Sequence, residues 1–242
     1  MYEHGTVELK TEEGAKRSFG YRLMRPDPKA GDGPHPLVIF LHGAGERGSD
    51  NERQLTYLPR WMAGSDHREK HPCFLLAVQC PREESWAPYE RGEGKAPIPG
   101  PPTEPLLAVE RAIDALLATE AIDSERIYLT GLSMGGFGSW TLASRHPDRF
   151  AAVVPICGGG DAASAGKLVD IPIWVVHGTS DRVVPERLSR EMVDAIKAAG
   201  GTVRYSALEG VAHDSWTPAY NRLGVISWMF EQRLEPAPDD DQ

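Results

Sequence analysis

The sequence predicts an α/β fold in which a mostly parallel central sheet is covered by helices on both faces. Short apolar runs of strand length recur along the chain, and segments with helical spacing separate them, which is the pattern of βαβ units. The near-continuous apolarity of five of these runs is typical of central strands that are buried on both faces. The five runs are residues 36–41, 73–78, 126–130, 151–156 and 171–176.

Three further strands and four helices complete the predicted architecture. Residues 6–9 and 19–24 are more mixed in composition, which favours an antiparallel edge, and residues 203–208 add a last strand. Between residues 103 and 119, apolar side chains follow helical spacing after Pro105, so this segment predicts a crossover helix. The other predicted helices are residues 135–145, 185–199 and 215–233.

The length and composition favour one domain. A chain of 242 residues with 40 % hydrophobic content can bury one large core, so we predict a single domain over residues 1–242. Residues 235–242 are predicted to form a flexible acidic tail. Residues 46–70 and 81–102 form long connections, and the second is rich in proline and glycine, which predicts an ordered surface loop. Long loops at the functional edge of such a sheet often shape the pocket.

Charge and cysteine usage exclude several classes of function. The formal net charge of −9 disfavours binding to nucleic acid or to an anionic membrane surface. No run approaches the roughly 18 apolar residues of a membrane helix, and no signal pattern is visible, so a cytoplasmic protein is expected unless a leader has been removed. The three cysteines lack a framework spacing, which fits a reducing compartment. His67, His71 and Cys73 match no zinc pattern, so we predict no metal site.

A candidate nucleophile follows one of the predicted central strands. The segment Gly131-Leu132-Ser133-Met134-Gly135-Gly136 comes directly after residues 126–130 and before a helical segment. This is the context of a nucleophile elbow, in which small residues let strand and helix approach closely. It presents Ser133 at a helix N-terminus, where backbone donors can meet developing negative charge. A glycine-rich turn without function is the alternative interpretation.

Two residues downstream complete a candidate catalytic triad. A serine hydroxyl needs a base, and an imidazole serves if a carboxylate fixes its tautomer. Asp181 follows the strand at residues 171–176, and His213 follows the strand at residues 203–208. Both therefore lie at the same sheet edge as Ser133, in the order Ser, Asp, His. We predict Asp181 as the acid and His213 as the base.

Alternatives remain open for each of these roles. Asp181 could instead cap a helix, with Asp170 or Asp214 as substitutes for the acid. His213 could be an exposed loop histidine. His177 ends a buried strand beside a glycine, which predicts a packing or loop-bracing role.

The turn after the first central strand is a candidate oxyanion hole. It reads His42-Gly43-Ala44-Gly45-Glu46-Arg47-Gly48, and a glycine-bearing turn at this place supplies a backbone donor. We predict that the N–H groups of Ala44 and Met134 are the two donors. His42 is predicted to brace the turn by hydrogen bonding.

Other side chains are candidates for the mouth of the pocket. Trp86, Tyr89 and Trp216 lie on loops or at a helix start near the predicted mouth, where they could stack on an aromatic acyl group; ordinary packing is the alternative. Glu46 and Arg47 could pair with each other or with the pocket rim.

On these motifs, the sequence resembles the esterase and phospholipase-like branch of the α/β-hydrolases over about residues 19–233. It is especially similar to the predicted-peptidase and dienelactone-hydrolase-like proteins and to feruloyl-esterase-type domains. The resemblance implies the α/β-hydrolase fold and carboxylesterase activity without a cofactor. Met134 and Glu46 depart from the acyl-protein thioesterases, and Ser133 departs from the cysteine nucleophile of dienelactone hydrolases proper.

The sequence therefore predicts hydrolysis of a small ester, with aryl and feruloyl-type esters among the candidates, through an acyl-enzyme on Ser133. A small serine peptidase or amidase and an acyl thioesterase are alternative enzymes. A ligand-binding protein that keeps the fold without turnover is the alternative from another class. The expected partner is a small-molecule ester.

Overall fold

The computed structural model describes residues 1–10, 14–88 and 100–234. The predicted tail at residues 235–242 lies outside the described residues, as do Tyr89 and the rest of residues 89–99 from the second long connection. The described part contains one eight-stranded sheet. Its strands are β1 Tyr2–Lys10, β2 Lys16–Met24, β3 His35–Leu41, β4 Phe74–Val78, β5 Ile122–Leu132, β6 Ala152–Ile156, β7 Ile173–Gly178 and β8 Val203–Leu208.

An antiparallel hairpin, β1 and β2, forms one lateral edge of an otherwise parallel sheet. The strand order is β1-β2-β4-β3-β5-β6-β7-β8. β1 and β2 pair antiparallel, as do β2 and β4, whereas all neighbours from β4 to β8 are parallel. The mostly parallel sheet and its antiparallel edge are therefore confirmed. Because the parallel strands point the same way, the loops that follow them all lie at the carboxyl ends of these strands.

The α-helices lie in the connections between strands, except for the last two, which follow β8. In the described residues they are α1 Leu58–Met62, α2 Ser65–Lys70, α3 Glu104–Thr119, α4 Met134–Arg145, α5 Arg187–Ala198, α6 Trp216–Asn221 and α7 Val225–Phe230. α3, α4 and α5 confirm three of the predicted helices within one or two residues at each end. The first long connection, residues 46–70, is partly helical because it contains α1 and α2.

The predicted single helix over residues 215–233 is wrong, because this segment forms two short helices. α6 ends at Asn221, and Gly224 takes a left-handed φ of +77° before α7 begins. The N–H of Leu223 bonds to the carbonyl oxygen of Pro218 at 3.1 Å, which ends the regular helical ladder. Glycine adopts this conformation at little steric cost, so the chain turns here although the apolar spacing continues.

Buried side chains cover both faces of the sheet. Successive strand residues point to opposite faces, so Val175 of β7 packs in the layer that includes α3, α4 and α5. Its neighbour Val176 packs in the layer that includes α1, α6 and α7. The sheet is therefore sandwiched between two helical layers, as the continuous apolarity of its strands predicts.

The cysteines and His71 are internal packing residues. Cys73, Cys80 and Cys157 are buried free thiols, in keeping with a fold that is not built on disulfides. The His71 ring lies 4.6 Å from that of Phe230, and burial lowers the pKa of His71 to about 4. Among the described helices, none has the length and apolarity to cross a membrane.

Candidate active site

Ser133 occupies a strained turn between a strand and a helix. β5 ends at Leu132 and α4 begins at Met134. The φ of +53° and ψ of −115° at Ser133 are unusual for a residue with a side chain. The N–H of Ser133 donates to the carbonyl oxygen of Ile156 at 2.9 Å, which ties the turn to β6. The structure thus has the elbow geometry that the motif predicts.

Glycine at two positions allows α4 to lie this close to the sheet. A Cβ added to Gly135 would overlap the carbonyl oxygen of Leu41 in β3. One added to Gly131 would overlap the carbonyl oxygen of Gly135. Both atoms that would be met are backbone atoms, so they cannot move aside as a flexible side chain can. The glycines of the motif are therefore required by the approach of α4 to the strands.

Three side chains from separate loops meet at the elbow. Asp181 follows β7 and His213 follows β8. His213 Nε2 lies 2.9 Å from Ser133 Oγ, and His213 Nδ1 lies 2.7 Å from Asp181 Oδ2. The Asp181 side chain is fully buried, while that of His213 is 21 % exposed. The structure therefore joins the three predicted residues in one chain of hydroxyl, imidazole and carboxylate.

The Asp181 carboxylate is surrounded by hydrogen-bond donors. Oδ1 accepts from the N–H of Val183 at 2.8 Å and from that of Val184 at 3.0 Å. Oδ2 faces His213 and also lies 3.2 Å from Nε2 of His177. Burial alone would raise the pKa of Asp181, but these four hydrogen bonds outweigh it and hold the pKa well below its usual range. The carboxylate is therefore ionised at neutral pH.

The alternative acids and the capping alternative do not fit this arrangement. Asp214 caps α6 instead, because its carboxylate accepts from the N–H of Thr217 at 3.1 Å and from the Thr217 hydroxyl at 3.0 Å. Asp170 precedes β7 and so lies at the amino ends of the parallel strands, whereas Ser133 lies at their carboxyl ends. α5 begins at Arg187, beyond the reach of a cap at Asp181.

The candidate oxyanion donors lie on either side of Ser133. Ala44 begins a short 3₁₀ turn, Ala44–Glu46, and Met134 begins α4. The first N–H of a helical turn has no partner within that turn, so both groups are available to a ligand. Both residues line the same cavity as Ser133.

His42 braces the oxyanion turn from inside the protein. Its Nε2 accepts from the N–H of Cys80 at 2.9 Å, and its Nδ1 lies 2.7 Å from the carbonyl oxygen of Gly43. The ring proton therefore sits on Nδ1, which donates to Gly43. Burial lowers the pKa of His42 to about 4, so the ring is neutral at pH 7 and fits this pattern.

Trp86 is not a pocket residue, so that prediction is wrong. Its side chain is fully buried, and its indole N–H donates to the carbonyl oxygen of His42 at 2.9 Å. Its ring also packs edge-on against the His42 ring, with centroids 5.0 Å apart. The loop that carries Trp86 turns inward behind the oxyanion turn, because the indole contributes apolar area to the core and finds a buried acceptor there.

Ser133 opens onto a cavity of about 270 Å³. Trp216 lines this cavity, and its ring stands edge-on to the His213 ring, with centroids 5.3 Å apart. Tyr57, from the first long connection, forms an aromatic pair with Trp216 at 5.4 Å and also lines the cavity. Sequence reasoning missed Tyr57, because nothing in the local sequence places that connection over the site.

An apolar wall forms another part of the cavity lining. Phe137 of α4 and the two valines after the acid, Val183 and Val184, contribute to it. Val183 is an exposed large apolar side chain. The two valines could have been predicted as cavity residues from the sequence, because adjacent apolar side chains on a loop after a strand indicate a contact with a ligand or with other apolar side chains.

Glu46 supplies an acidic group to the cavity lining. Burial raises the pKa of Glu46. The predicted alternative of a pair with Arg47 is wrong, because the Arg47 guanidinium donates to the carbonyl oxygens of Ala44 at 3.0 Å and Glu84 at 3.1 Å. Glu46 instead lies at the pocket, which is the other position that the sequence predicts for it.

One group of described side chains could in principle hold a metal ion. Potential ligand atoms of Cys157, Asp181 and His213 lie within 4.8 Å of one another. Burial raises the pKa of the Cys157 thiol, so it does not offer a thiolate, and the two other residues are hydrogen-bonded to each other. The chemistry of these three side chains therefore fits a hydrogen-bonded arrangement with Ser133 better than a metal site.

Comparison with known proteins identifies the family. Residues 36–184 match the family model described as alpha/beta hydrolase fold, which is more than half of the chain. The chain belongs to the α/β-hydrolase fold family. The oxyanion turn, the elbow and Asp181 of this α/β-hydrolase lie within the matched residues, and His213 lies beyond them. The predicted fold class is therefore confirmed.

Esterases are among the proteins similar to this α/β-hydrolase. A solved structure of a thermostable esterase has a TM-score of 0.84 and 42 % identity, and the match covers 95 % of this chain and 63 % of that one. The bifunctional acetylxylan esterase/xylanase XynS20E of Neocallimastix patriciarum is 38 % identical over 179 residues, 73 % of this chain and 23 % of that protein. Poly(3-hydroxyalkanoate) depolymerase C of Paucimonas lemoignei is 30 % identical over 137 residues, 51 % of this chain and 28 % of that protein. This chain thus covers less than two thirds of each.

Proposed function

We propose that the protein is a serine esterase that cleaves small carboxylic esters through an acyl-enzyme. One observation carries the proposal: Ser133 Oγ, His213 and Asp181 form a continuous chain with distances of 2.9 and 2.7 Å at the strained elbow. This is the geometry that lets an imidazole deprotonate a serine hydroxyl. The similarity to esterases supports an ester as the substrate.

Each residue has a defined role in the proposed reaction. Ser133 Oγ attacks the ester carbonyl as His213 Nε2 takes its proton, and the alcohol then leaves with that proton. Water attacks the acyl-enzyme through the same base and releases the acid. Asp181 keeps the proton of His213 on Nδ1, and the N–H groups of Ala44 and Met134 stabilise each oxyanion.

The cavity supports a small substrate. Its volume of about 270 Å³ lies just below the roughly 300–1,000 Å³ usual for drug-sized ligands. Tyr57 and Trp216 provide an aromatic surface, and Val183 and Val184 an apolar one. We expect short esters to be hydrolysed faster than long-chain esters, and aryl esters faster than alkyl esters of the same length.

Fluorophosphonate labelling with mass-spectrometric mapping tests the proposal. It is run beside the hydrolysis of aryl and alkyl acetates, a peptide amide and a thioester. We expect the label on Ser133 and ester turnover that Ser133→Ala lowers by about 10³-fold or more. Ser144→Ala is the matched control, because the Ser144 hydroxyl only donates to the carbonyl oxygen of Thr141 within α4, at 3.0 Å.

The outcomes separate the candidate functions. Label on another residue, or near-wild-type turnover by Ser133→Ala, would reject the assigned nucleophile. Faster cleavage of the amide or the thioester would replace the esterase by one of the alternative enzymes. Binding of esters without turnover would identify a catalytically silent protein.

A further inference from the structure

His177 is a buried histidine that the proposed reaction does not use. It lies in β7, and its side chain is fully buried. Nδ1 lies 2.7 Å from the hydroxyl of Ser189 in α5. Nε2 lies 3.0 Å from the carbonyl oxygen of Val184 and 3.2 Å from Oδ2 of Asp181. Both ring nitrogens therefore have polar partners, and two of these partners belong to the loop that carries the acid.

The partners of Nε2 decide where the ring carries a proton. The Val184 carbonyl can only accept a hydrogen bond, and the ionised carboxylate of Asp181 can only accept one too. Nε2 must therefore carry a proton and donate to both of them. The N–H of His177 is thus directed at the same carboxylate oxygen that accepts from His213.

Ser189 fixes the ring from its other side. Its hydroxyl donates to the carbonyl oxygen of Gly158, just beyond the end of β6, at 2.7 Å, and its oxygen lies 2.7 Å from His177 Nδ1. The Ser189 side chain is fully buried, as is the imidazole. Since α5, β7 and the loop after β6 all contribute to this contact, the orientation of the His177 ring is set by the packed core.

We propose that His177 is a positioning residue for the acid of the triad. Its N–H holds Oδ2 of Asp181 in the orientation in which that oxygen also accepts from His213. Its second contact, to the Val184 carbonyl, fixes the loop whose N–H groups hold Oδ1 of Asp181. Removal of His177 frees the carboxylate to rotate away from His213. The inference rests on the proposed function, because it describes how the acid of that reaction is held.

Two variants of similar shape test the donor. His177→Met removes the N–H, whereas His177→Gln places an amide N–H near the position of Nε2. We expect His177→Met to lower kcat by roughly 10- to 100-fold, because small misplacements at an active site have effects of this size. KM should stay within about twofold, since His177 does not line the cavity. His177→Gln should recover most of kcat.

A double-mutant cycle with Asp181→Asn separates positioning from general destabilisation. If His177 acts through Asp181, His177→Met lowers kcat no further in the Asp181→Asn background. Ile113→Ala, a buried change in α3 away from the cavity, reports the effect of lost stability alone. An undiminished effect of His177→Met in the Asp181→Asn background would overturn the proposal. So would equal losses of kcat in His177→Met and His177→Gln.

Ser189→Ala is the second variant, for the case in which His177→Met does not fold. It removes the hydroxyl partner of Nδ1 and should lower kcat severalfold at constant KM; unchanged kcat would overturn the inference.

Failure of this inference and failure of the proposed function give different results. An active, Ser133-labelled wild type with kcat unaffected by these changes overturns the role of His177 alone, whereas a wild type without labelling or turnover removes the proposed function and this inference with it.

Discussion

The nucleophile and the acid of the candidate site are held in different ways. Ser133 is held by the backbone, because Gly131 and Gly135 let α4 contact the strands and the Ser133 N–H bonds to β6. Asp181 is held by donors, two from its own loop and two from histidines. Substitutions at the elbow should therefore act first on folding, whereas substitutions around the acid should act first on turnover.

Replacement of the acid itself should have the largest effect on turnover. Asp181→Asn keeps the shape but no longer fixes the His213 tautomer, and the corresponding change in a serine protease triad lowers kcat by about 10⁴-fold. We expect a loss of the same order in ester hydrolysis, together with a lower melting temperature, because the amide loses hydrogen bonds that the buried carboxylate accepts. The control is Asp214→Asn, which alters only the cap of α6. An active Asp181→Asn variant would contradict the assignment of the acid.

Replacement of an elbow glycine should act on folding. Gly135→Ala introduces a Cβ that overlaps the Leu41 carbonyl oxygen, so α4 must move away from β3. Overpacking costs about 1–3 kcal/mol, and we expect the upper end of that range because the atom that is met is backbone. Urea unfolding measures the loss. Gly166→Ala is the matched control, since its Cβ meets no atom within 4 Å. Equal stability of the two variants would contradict the close contact.

The oxyanion turn should make stability depend on pH. The pKa of His42 is about 4 in the folded protein and 6.5 for a free histidine side chain, so the unfolded chain takes up the proton first as the pH falls. Stability is then full above about pH 6.5 and is lost toward pH 4, by about 2 kcal/mol between pH 7 and pH 5. Burial lowers the pKa of His71 as well, so it adds to the loss in the same window.

Comparison of wild type with His42→Gln isolates the contribution of His42. Urea unfolding at pH 7 and at pH 5 gives the free energy of unfolding of each protein. We expect a smaller pH dependence in the variant. Identical pH dependence in both proteins would show that His42 is not the titrating group.

The sequence predicts the sheet and the elbow because both have local signals. Continuous apolar runs mark the buried parallel strands, and the glycines around Ser133 follow one of them directly. Asp181 and His213 could be chosen because strand ends converge at one edge of a parallel sheet. Helix continuity past Gly224 was misjudged, since apolar spacing does not register a single left-handed residue.

The support of the acid could not be derived in the same way. Ser189 lies 12 residues from His177 and 31 residues from Gly158 in the chain. The hydrogen bonds among the three depend on how α5 packs against β7 and the loop after β6, and no local pattern predicts that packing. Trp86 and Tyr57 illustrate the same limit, because both lie on long connections whose path over the sheet has no local signal. One turns into the core, and the other lines the cavity.

Val184 combines three separate tasks in one residue. Its N–H donates to Asp181, its carbonyl accepts from His177, and the residue lines the cavity beside Ser133. The main-chain bonds do not depend on the identity of the side chain, but that side chain is buried against Phe137 and Leu188. A change to another apolar residue of similar size therefore leaves the hydrogen bonds to the acid in place. Under the proposed function, this position can therefore change the acyl preference while Asp181 keeps its hydrogen bonds.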